Sequence, residues 1–504
     1  MSPTSISARV GAGLAAAAVS LGVTGLAATL FSPAADARTA VGSAVINLTP
    51  GPAKEWAIQT FGTSDKTFLT IMVVVVVAAL CAIAAIWERA RIPLGSLVIA
   101  AAGVAGCLAV LAQKGAGPLD LIPTVLGAAC GIAVMRLLTR PDDAAAEDTD
   151  PARRRSLLTL GLLGAGVLGG VGGNVLGRKR RSVAGDRDAF ALPPASSPAP
   201  PIPPGVQPEA TGLPSFITSN ADFYRIDTAL SVPQISRADW TLRIHGMVDK
   251  EITYTFDQLR DFELVERAVT LTCVSNPVGG NLISNAMWTG YRLRDILARS
   301  GIARDADMVL STSVDGFTVG TPVEALTDDR DSLLAVGMNG VPLPVEHGYP
   351  ARLVVPGLYG FVSATKWVVD LELTRFDRAE AYWTKLGWSA KAPIKTQSRI
   401  DIPRTGSKIS AGPVTVGGVA WAQHRGIKAV EVRIDEGPWQ PAKLGAGYSN
   451  DTWRLWTFEW QATPGSHTVT ARATDNTGAV QTEQLAPPPP DGATGLPSIS
   501  VEVK

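Results

Sequence analysis

The distribution of apolar residues divides the chain into two unlike parts. Five apolar segments fall within the first 180 residues, and each is close to the roughly 20 residues that a helix needs to cross a membrane. They cover residues 10–31, 67–87, 92–112, 119–138 and 157–176. This pattern predicts an N-terminal α-helical membrane region of about five helices, spanning residues 1–181. The first segment could instead be a cleaved signal peptide, although it is longer than the usual core of about 7–15 apolar residues.

In the remainder of the chain, apolar and polar residues follow the short strand-like and helical patterns that are typical of a soluble protein. Between residues 215 and 376, strand-like runs such as "WTLRIHG" and "KWVVDLEL" alternate with short helical patterns such as "RLRDILARSG", which predicts an α+β domain. From 377 to 486 only strand patterns occur, separated by Gly, Pro and Asp turns. That spacing is typical of an immunoglobulin-like β-sandwich.

Two Pro-rich stretches connect and end these domains. Residues 182–214 include "ALPPASSPAPPIPPGVQPEATGLP", a composition that favours an extended polyproline II spacer of about 3.1 Å per residue. We therefore expect a linker that holds the soluble half away from the membrane. Residues 487–504 form a second Pro-rich stretch, which we expect to be an extended or disordered tail.

Composition and charge exclude two classes of function. The 504 residues carry a formal net charge of +0, which does not support a nucleic-acid partner. The chain has four histidines, and none precedes His245, so a bis-histidine haem within the membrane region is excluded and no haem is expected. Cys273 is the single cysteine of the soluble half, so no disulfide is predicted there.

Basic residues in the short loops predict the orientation of the membrane region. Arg89 and Arg91 lie between the second and third segments, and Arg136, Arg140 and 153–155 lie around the loop before the fifth. The positive-inside rule places both loops in the cytoplasm, so the C-terminal half is expected to be extracytoplasmic in a multi-pass protein of the cell membrane. The basic run "RKRR" at 178–181 runs against this rule.

An export signal inside the chain would explain that exception. "RRRSLL", with Arg154 and Arg155 as the pair, precedes a Gly-rich apolar run and is similar to a twin-arginine signal over residues 153–177. The alternative is an ordinary positive-inside anchor for the fifth helix.

Two stretches of the soluble half carry candidate chemistry. Cys273, in "TLTCVSNPVGG", is placed by the pattern at the end of a strand, although a buried structural cysteine is an alternative. His347, Arg352 and Lys366 lie in the Gly- and Pro-rich stretch 338–367. Arginine and lysine beside Gly-rich backbone suit a phosphate-bearing ligand, and a solvated loop with incidental charges is the alternative.

Taken together, these stretches resemble the sulfite oxidase family of molybdopterin enzymes, over residues 216–485. The resemblance is carried by "LTCVSN", "MWTGYRLRDIL", "STSVDGFT" and "MNGVPLPVEHGYPARLVVPGLYG", the last followed by "KW". The sandwich, with "GVAWAQHRGIKAVEVRIDEGPW", is similar to the family's C-terminal dimerisation domain. The resemblance implies a molybdopterin (molybdenum) cofactor, a possible homodimer, and a separate electron donor or acceptor such as a cytochrome or a quinone-linked membrane protein.

The resemblance also implies which residues form the site. Cys273 corresponds to the molybdenum-binding cysteine, and Arg425 of "AQHRG" corresponds to an arginine near the substrate anion. The expected cofactor-binding residues are Asn220, Tyr224, Arg225, Ser313, His347, Arg352, Thr365 and Lys366.

Two departures from the family concern the substrate. A basic "NRR"-like run follows the metal cysteine in animal sulfite oxidases, whereas "SNPVGG" stands at 275–280 here, and Val336 occupies the place of their active-site tyrosine. These groups would bind and orient sulfite, so the substrate is expected to be a small compound, sulfur-containing by resemblance, rather than sulfite itself. Oxidation of such a compound and reduction of a sulfoxide or other oxide both stay open. A non-catalytic binding module on a membrane scaffold is the alternative from another class.

Overall fold

The computed structural model describes residues 5–50, 53, 56–57, 60, 65–89, 93–140 and 151–504. These residues form two compact units. The first comprises Met1–Ser182 with Thr228–Val232, and the second comprises Val183–Asp227 with Pro233–Lys504.

The first unit is a helical bundle. Its helices are α1 (Ile6–Ala27), α2 (Ala37–Leu48), α3 (Asp65–Ile86), α4 (Leu94–Leu111), α5 (Ile122–Thr139) and α6 (Pro151–Arg181). All of these except the short α2 are long and apolar enough to cross a membrane, which makes five candidate spans in the described part of the chain. The predicted helical membrane region is therefore confirmed at the level of its helices.

Glycines allow the other helices to pack closely on α1. A Cβ atom on Gly173 of α6 would lie 2.6 Å from the carbonyl carbon of Gly25, and one on Gly166 would overlap the backbone around Ala18. Small residues at helix contacts let backbones approach in this way, as is common for membrane helices. The order of these contacts shows that α1 and α6 run in the same direction.

The "RKRR" run lies at the end of α1 in this bundle. The Arg181 side chain donates to the carbonyls of Ala28 (2.9 Å) and Ser32 (3.4 Å), and Arg180 donates to that of Thr29 (3.4 Å). Carbonyls at a helix C-terminus lack intrahelical partners and attract cations. This contact gives the basic run a structural role.

The second unit begins with an α+β domain built on two sheets. Its elements are α7 (Ala184–Asp188), β1 (Thr241–Gly246), β2 (Ile252–Thr255), β3 (Leu264–Thr272), β4 (Ile283–Arg292), α8 (Leu293–Ala298), β5 (Met308–Ser313), β6 (Thr318–Pro322), α9 (Val323–Thr327), β7 (Leu333–Met338), β8 (Val341–Pro342), β9 (Arg352–Val354) and β10 (Val368–Thr374). One sheet has the order β2-β1-β10-β5-β6. The other has the order β3-β4-β7-β8, with β9 paired to β7. The core between them is rich in Trp, Leu and Val, including the fully buried Trp240.

A β-sandwich completes the second unit. Its strands are β11 (Gln397–Ile402), β12 (Ser407–Ile409), β13 (Gly412–Trp421), β14 (Ile427–Ile434), β15 (Gln440–Pro441), β16 (Lys443–Leu444), β17 (Arg454–Ala462), β18 (Gly465–Asp475) and β19 (Ser498–Val503). They form the sheets β11-β13-β17-β16 and β12-β19-β18-β14-β15. Alternate residues such as Val430 and Val432 of β14 point into a second core. The predicted α+β domain and sandwich are both present.

The two Pro-rich stretches differ from their predictions. Residues 183–214 do not form a free spacer, because Val206 is buried in the core and the Ser196 amide donates to Leu264 of β3 (2.8 Å). Their proline-rich backbone lies extended along the domain surface. The expected tail is also ordered, since Ser498–Val503 forms β19 between β18 and β12. Alternation of apolar Ile499, Val501 and Val503 at the end of the chain was the signal that its prolines obscured.

The sandwich contacts the strand that leads to Cys273. Gln423 donates to the carbonyl of Thr270 (3.2 Å) and to the hydroxyl of Thr272 (2.9 Å). The hydroxyl of Thr270 accepts from the Trp453 amide (2.8 Å). The end of β3 is thus fixed from both domains of the second unit.

Candidate active site

Cys273 follows directly after β3 and is partly exposed. Its amide donates to Leu282 (2.9 Å), and its carbonyl accepts from the amide of Asn276 (3.2 Å), which makes a tight turn. The side-chain oxygen of Asn276 accepts from the Leu282 amide (2.8 Å) and closes the turn. The thiol is therefore held on a rigid turn at a strand end, as the sequence predicted.

Tyr224 and Arg352 lie near this thiol. Burial raises the pKa of Tyr224 above its usual range, with a further rise from Cys273 and an opposing effect of Arg352. Arg352 is 4% exposed, donates to the carbonyl of His347 (3.2 Å) and lies 5.0 Å above the Trp288 ring. Burial lowers the pKa of Arg352 to about 10. No carboxylate pairs with Arg352 in the described part of the chain, so this buried cation favours a bound anion.

Lys366 and Arg225 form a second group of cations. Both donate to the same carboxylate oxygen of Asp227, each at 2.9 Å, and Lys366 also donates to the carbonyl of Glu346 (3.3 Å). Burial lowers the pKa of Lys366 to about 8, although Asp227 opposes the shift. Two cations on one carboxylate leave a net positive charge, which suits a phosphate group.

His347 is neutral in this surrounding. It is 3% exposed, and its Nε2 lies 3.1 Å from the carbonyl oxygen of Asn220. Burial, together with Arg352 and Lys366, lowers the pKa of His347 to about 4. Since the carbonyl can only accept, Nε2 carries the proton and Nδ1 is an acceptor.

Ser313 is the last residue of β5, and its side chain is a buried hydroxyl. The residue is 1% exposed, and its Oγ has no hydrogen-bond partner among the described residues. A buried hydroxyl without a partner is costly, so a ligand atom is expected there. This orphaned group fits the predicted cofactor-binding role.

Thr365 and Asn220 use their side chains within the protein. The Thr365 hydroxyl lies 2.7 Å from that of Ser311. The Asn220 amide accepts from Asn339 (2.7 Å) and donates to Met338 (3.4 Å). In this structure both residues hold the loops of the site, and a direct cofactor contact by either stays a prediction.

Arg425 lies between β13 and β14 of the sandwich, and its side chain is held by neighbouring residues. Its Nε donates to the Asp475 carboxylate (2.9 Å), and its NH2 group donates to the Ile394 carbonyl (3.0 Å) and the Thr396 hydroxyl (3.1 Å). Burial opposes ionisation of Asp475, but hydrogen bonds from Thr477, Arg425 and Thr396 place its pKa below the usual range.

Sequence reasoning missed Tyr359. Burial raises its pKa to about 12, Cys273 adds to the rise, and Arg425 opposes it, so the phenol lies within electrostatic range of both groups. The aromatic residue within the glycine-bounded "GLYG" was the available signal. Val336 is 1% exposed and belongs to the core.

Comparisons with known proteins identify both domains of the second unit. Residues 229–383 match the oxidoreductase molybdopterin binding domain, and residues 397–481 match the bacterial Ig domain. The chain is 28% identical to human mitochondrial sulfite oxidase over 322 residues, covering 54% of this chain and 58% of that protein. It is 27% identical to the spinach nitrate reductase [NADH] over 321 residues, covering 50% of this chain and 34% of that protein.

A solved structure gives a further likeness. The sulfane dehydrogenase SoxCD of Paracoccus pantotrophus is 25% identical, with a TM-score of 0.47, covering 53% of this chain and 74% of that one. The match to human sulfite oxidase spans 58% of that protein's length. Residues 229–383 are therefore similar to a molybdopterin binding domain, and the similarity to sulfite oxidases supports a molybdenum oxidoreductase of that type with a molybdopterin cofactor.

The residues present fit that cofactor. The partly exposed Cys273 thiol is suited to a soft metal, and a metal-bound thiol is deprotonated. Ser313 supplies a buried hydroxyl that has no partner among the described residues. Arg352 is a buried cation without a carboxylate partner in the described part of the chain, and Lys366 is a buried cation that shares Asp227 with Arg225. These four residues would hold the metal and its phosphate-bearing ligand.

Proposed function

We propose that this protein is a membrane-anchored molybdenum oxidoreductase that transfers two electrons and an oxygen atom to or from a small compound outside the cytoplasm. The partly exposed Cys273 at the end of β3, together with the buried Arg352, which pairs with no carboxylate in the described part of the chain, is the observation that supports it most directly. The bound cofactor supplies the redox chemistry, and the protein supplies binding, orientation and electrostatics.

The residues of the chain divide these tasks. Cys273 holds the metal, while Arg352 and Lys366 neutralise the anionic cofactor. His347 stays neutral near pH 7 and donates to the Asn220 carbonyl, which orients the ring against Phe223, with centroids 5.5 Å apart. Its unprotonated Nδ1 can accept a hydrogen bond from the cofactor.

The composition of the loop after Cys273 indicates a substrate that is not strongly anionic. Residues 275–280 carry no cation. The loop packs against the C-terminal segment, since a Cβ on Gly279 would lie 3.6 Å from Pro497, and its Gly280 carbonyl accepts from Arg399 (3.2 Å). We propose a small sulfur-containing substrate, with oxidation of that compound or reduction of its oxide as the two directions.

The arrangement of the membrane helices supports an extracytoplasmic active site. Arg155 donates to the carbonyl of Arg140 (2.8 Å), and Arg9 donates to that of Glu88 (3.0 Å). The basic loops therefore lie at the start of α1 and α6, and both helices then run away from them. If these loops are cytoplasmic, the end of α6 and everything after it is outside.

The position of Arg154 and Arg155 supports export by the twin-arginine route. A cofactor inserted in the cytoplasm requires the domain to fold before it crosses the membrane, and Arg154–Arg155 lie in the first turn of the helix that precedes this domain. We propose that the first four spans insert in the ordinary way and that α6 serves as the signal for the folded cargo. Electrons then pass to or from a separate cytochrome or quinone-linked partner.

Elemental analysis tests the proposed activity. The purified full-length protein, made in a host that synthesises the cofactor, is expected to contain about one molybdenum per chain. Electron transfer is then assayed with reduced viologen and dimethyl sulfoxide in one direction, and with ferricyanide and sulfur compounds in the other. A protein free of molybdenum would contradict the proposal and favour a non-catalytic binding module.

A further inference from the structure

A polar cavity in the sandwich domain lies outside the site around Cys273. Its volume is about 180 Å³, whereas one water needs roughly 10–15 Å³. Its walls are the start of β14, the loop between β16 and β17, Arg454 at the start of β17, and Asn476 after β18. It shares no residue with the predicted metal site, and no acidic side chain lines it among the described residues.

Arg454 brings a positive charge to this cavity. Its Nε donates to the Gly445 carbonyl (2.9 Å), and its NH1 group donates to the Ile427 carbonyl (2.9 Å), which fixes the guanidinium plane. Its NH2 group makes no hydrogen bond, and the residue forms no ion pair, in the part of the chain that the structure describes. Burial lowers the pKa of Arg454, but an arginine keeps its charge near neutral pH. A partly buried cation without a counter-ion favours a bound anion.

Further N–H donors without acceptors line the same cavity. The backbone amides of residues 447–450 make no hydrogen bond to any described residue. The side-chain oxygen of Asn450 accepts from Asn476 (3.1 Å), so the side-chain NH2 group of Asn450 is left to donate. Successive backbone amides without acceptors are a common feature of anion-binding sites.

The acids that are close to this cavity in sequence are engaged elsewhere. The Asp451 carboxylate lies 3.3 Å from Nδ1 of His424, and the Asp475 carboxylate accepts from Arg425 (2.9 Å). The cavity therefore offers one fixed cation and several N–H donors, and no carboxylate among its lining residues competes for them.

We propose that this cavity is a binding site for a small oxyanion, such as sulfate, phosphate or a short carboxylate. Arginine suits these ligands because its N–H groups match the spacing of two oxygen atoms. The segment that lines the cavity also holds β3. The Thr270 amide donates to the Asp451 carbonyl (2.9 Å), and the Trp453 amide donates to the Thr270 hydroxyl (2.8 Å). A bound anion therefore orders the loop that supports the strand leading to Cys273.

Variants of Gly447 test the site and leave the hydrogen bonds of Arg454 in place. Gly447 is exposed, and a Cβ atom there would lie in ordinary contact with Arg454, 3.8 Å from Cζ. Gly447→Asp places a carboxylate beside the guanidinium, and Gly447→Asn is the control of the same shape without the charge. Equilibrium dialysis of the detergent-solubilised full chain, at constant ionic strength, measures binding of radiolabelled sulfate, phosphate and succinate.

The wild type should bind at least one of the three anions. Gly447→Asp should bind that anion about tenfold more weakly, because its carboxylate repels the anion and pairs with Arg454. Gly447→Asn should stay close to the wild type. Arg454→Lys, which keeps the charge and loses the guanidinium fork, should also bind more weakly.

The comparison of the two Gly447 variants isolates this site from the metal site. Any oxyanion bound at the metal would be retained equally by both variants. Equal affinities of Gly447→Asp and Gly447→Asn, or no binding of the three anions by the wild type, would overturn the proposal. Molybdenum content, measured on the same samples, should be equal in all of them, and its absence from the wild type would refute the proposed function instead.

Discussion

At the scale of single residues, burial decides the charge states of the site. His347, Arg352 and Lys366 are buried neighbours in the α+β domain, and each has its pKa lowered because the charged form is separated from water. The three residues respond differently near neutral pH. Arg352 stays charged, His347 is neutral, and Lys366 is charged at pH 7 but loses its proton at mildly alkaline pH, so the site contains one permanent cation and one adjustable one.

The pH dependence of stability tests the state of His347. Its pKa is about 4 in the folded protein and 6.5 in the unfolded one, so below pH 6.5 the unfolded state binds a proton that the folded state does not. Stability due to this group is therefore lost as pH falls from 6.5 towards 4, by about 2 kcal/mol between pH 7.5 and pH 5. Denaturant unfolding of the wild type and of His347→Gln, which keeps a donor for Asn220, should show the steeper loss only in the wild type. Parallel pH curves would contradict the assignment.

At this scale the sequence correctly predicted the position of Cys273 at a strand end. Cys273 stood out because it is the only cysteine of the soluble half, and the structure leaves it partly exposed at a strand end. Tyr359 could not be found in the same way. Its position depends on contacts with Lys395 and Gly492, which are far from it in sequence and close only after folding.

At the scale of elements, the short helix α7 binds the loop that carries His347. Arg187 donates to the carbonyls of Leu343 (2.8 Å) and Pro342 (2.9 Å). Asp186 accepts from the Tyr349 hydroxyl (2.6 Å). The segment 183–190 thus binds to residues 342–349, which accounts for its order despite a Pro-rich continuation.

Removing this link should loosen the loop. Arg187→Ala leaves two buried carbonyls without a donor, which costs on the order of 1–3 kcal/mol. We expect faster amide hydrogen exchange across residues 342–349 and a lower molybdenum content. Asp188→Ala is the matched control on the same helix, because its side chain is 72% exposed and its ion pair with Arg187 contributes little. Equal exchange in the two variants would show that α7 does not support the loop.

The elements themselves were largely predictable, and their surroundings were not. Apolar runs of membrane length located the five long helices. Alternating apolar residues located several strands of both soluble domains, since burial of one face fixes that periodicity. The predictions for the two Pro-rich stretches were wrong because proline indicates an extended backbone but does not indicate whether that backbone packs against a domain. Residues 183–214 and β19 are ordered by contacts with distant strands, which local composition does not encode.

At the scale of the whole molecule, the position of the paired arginines suggests two insertion routes in one chain. Arg154 and Arg155 lie in the first turn of α6, and the second unit begins at Val183 directly after that helix. A folded cargo with its cofactor would need a translocation system that accepts folded domains. The proposed signal would then be internal because the cargo begins after it.

Replacement of both arginines by lysine tests this route. The double variant Arg154→Lys, Arg155→Lys keeps the charge, so an ordinary positive-inside anchor should still work. We expect the C-terminal half to stay inside the cell, where it is protected from protease added to spheroplasts. Arg178→Lys with Arg180→Lys is the control after the same helix, and its C-terminal half should be accessible. Normal export of the first variant would exclude the twin-arginine route.

Molybdenum X-ray absorption spectroscopy tests the central claim most directly. We propose that molybdenum binds the Cys273 thiolate. The wild type should therefore show one more sulfur neighbour around molybdenum than Cys273→Ser, or Cys273→Ser should lose the metal altogether. Cys107→Ser, a cysteine of membrane helix α4, should give the wild-type spectrum. A Cys273→Ser protein with full molybdenum and an unchanged sulfur shell would contradict the account.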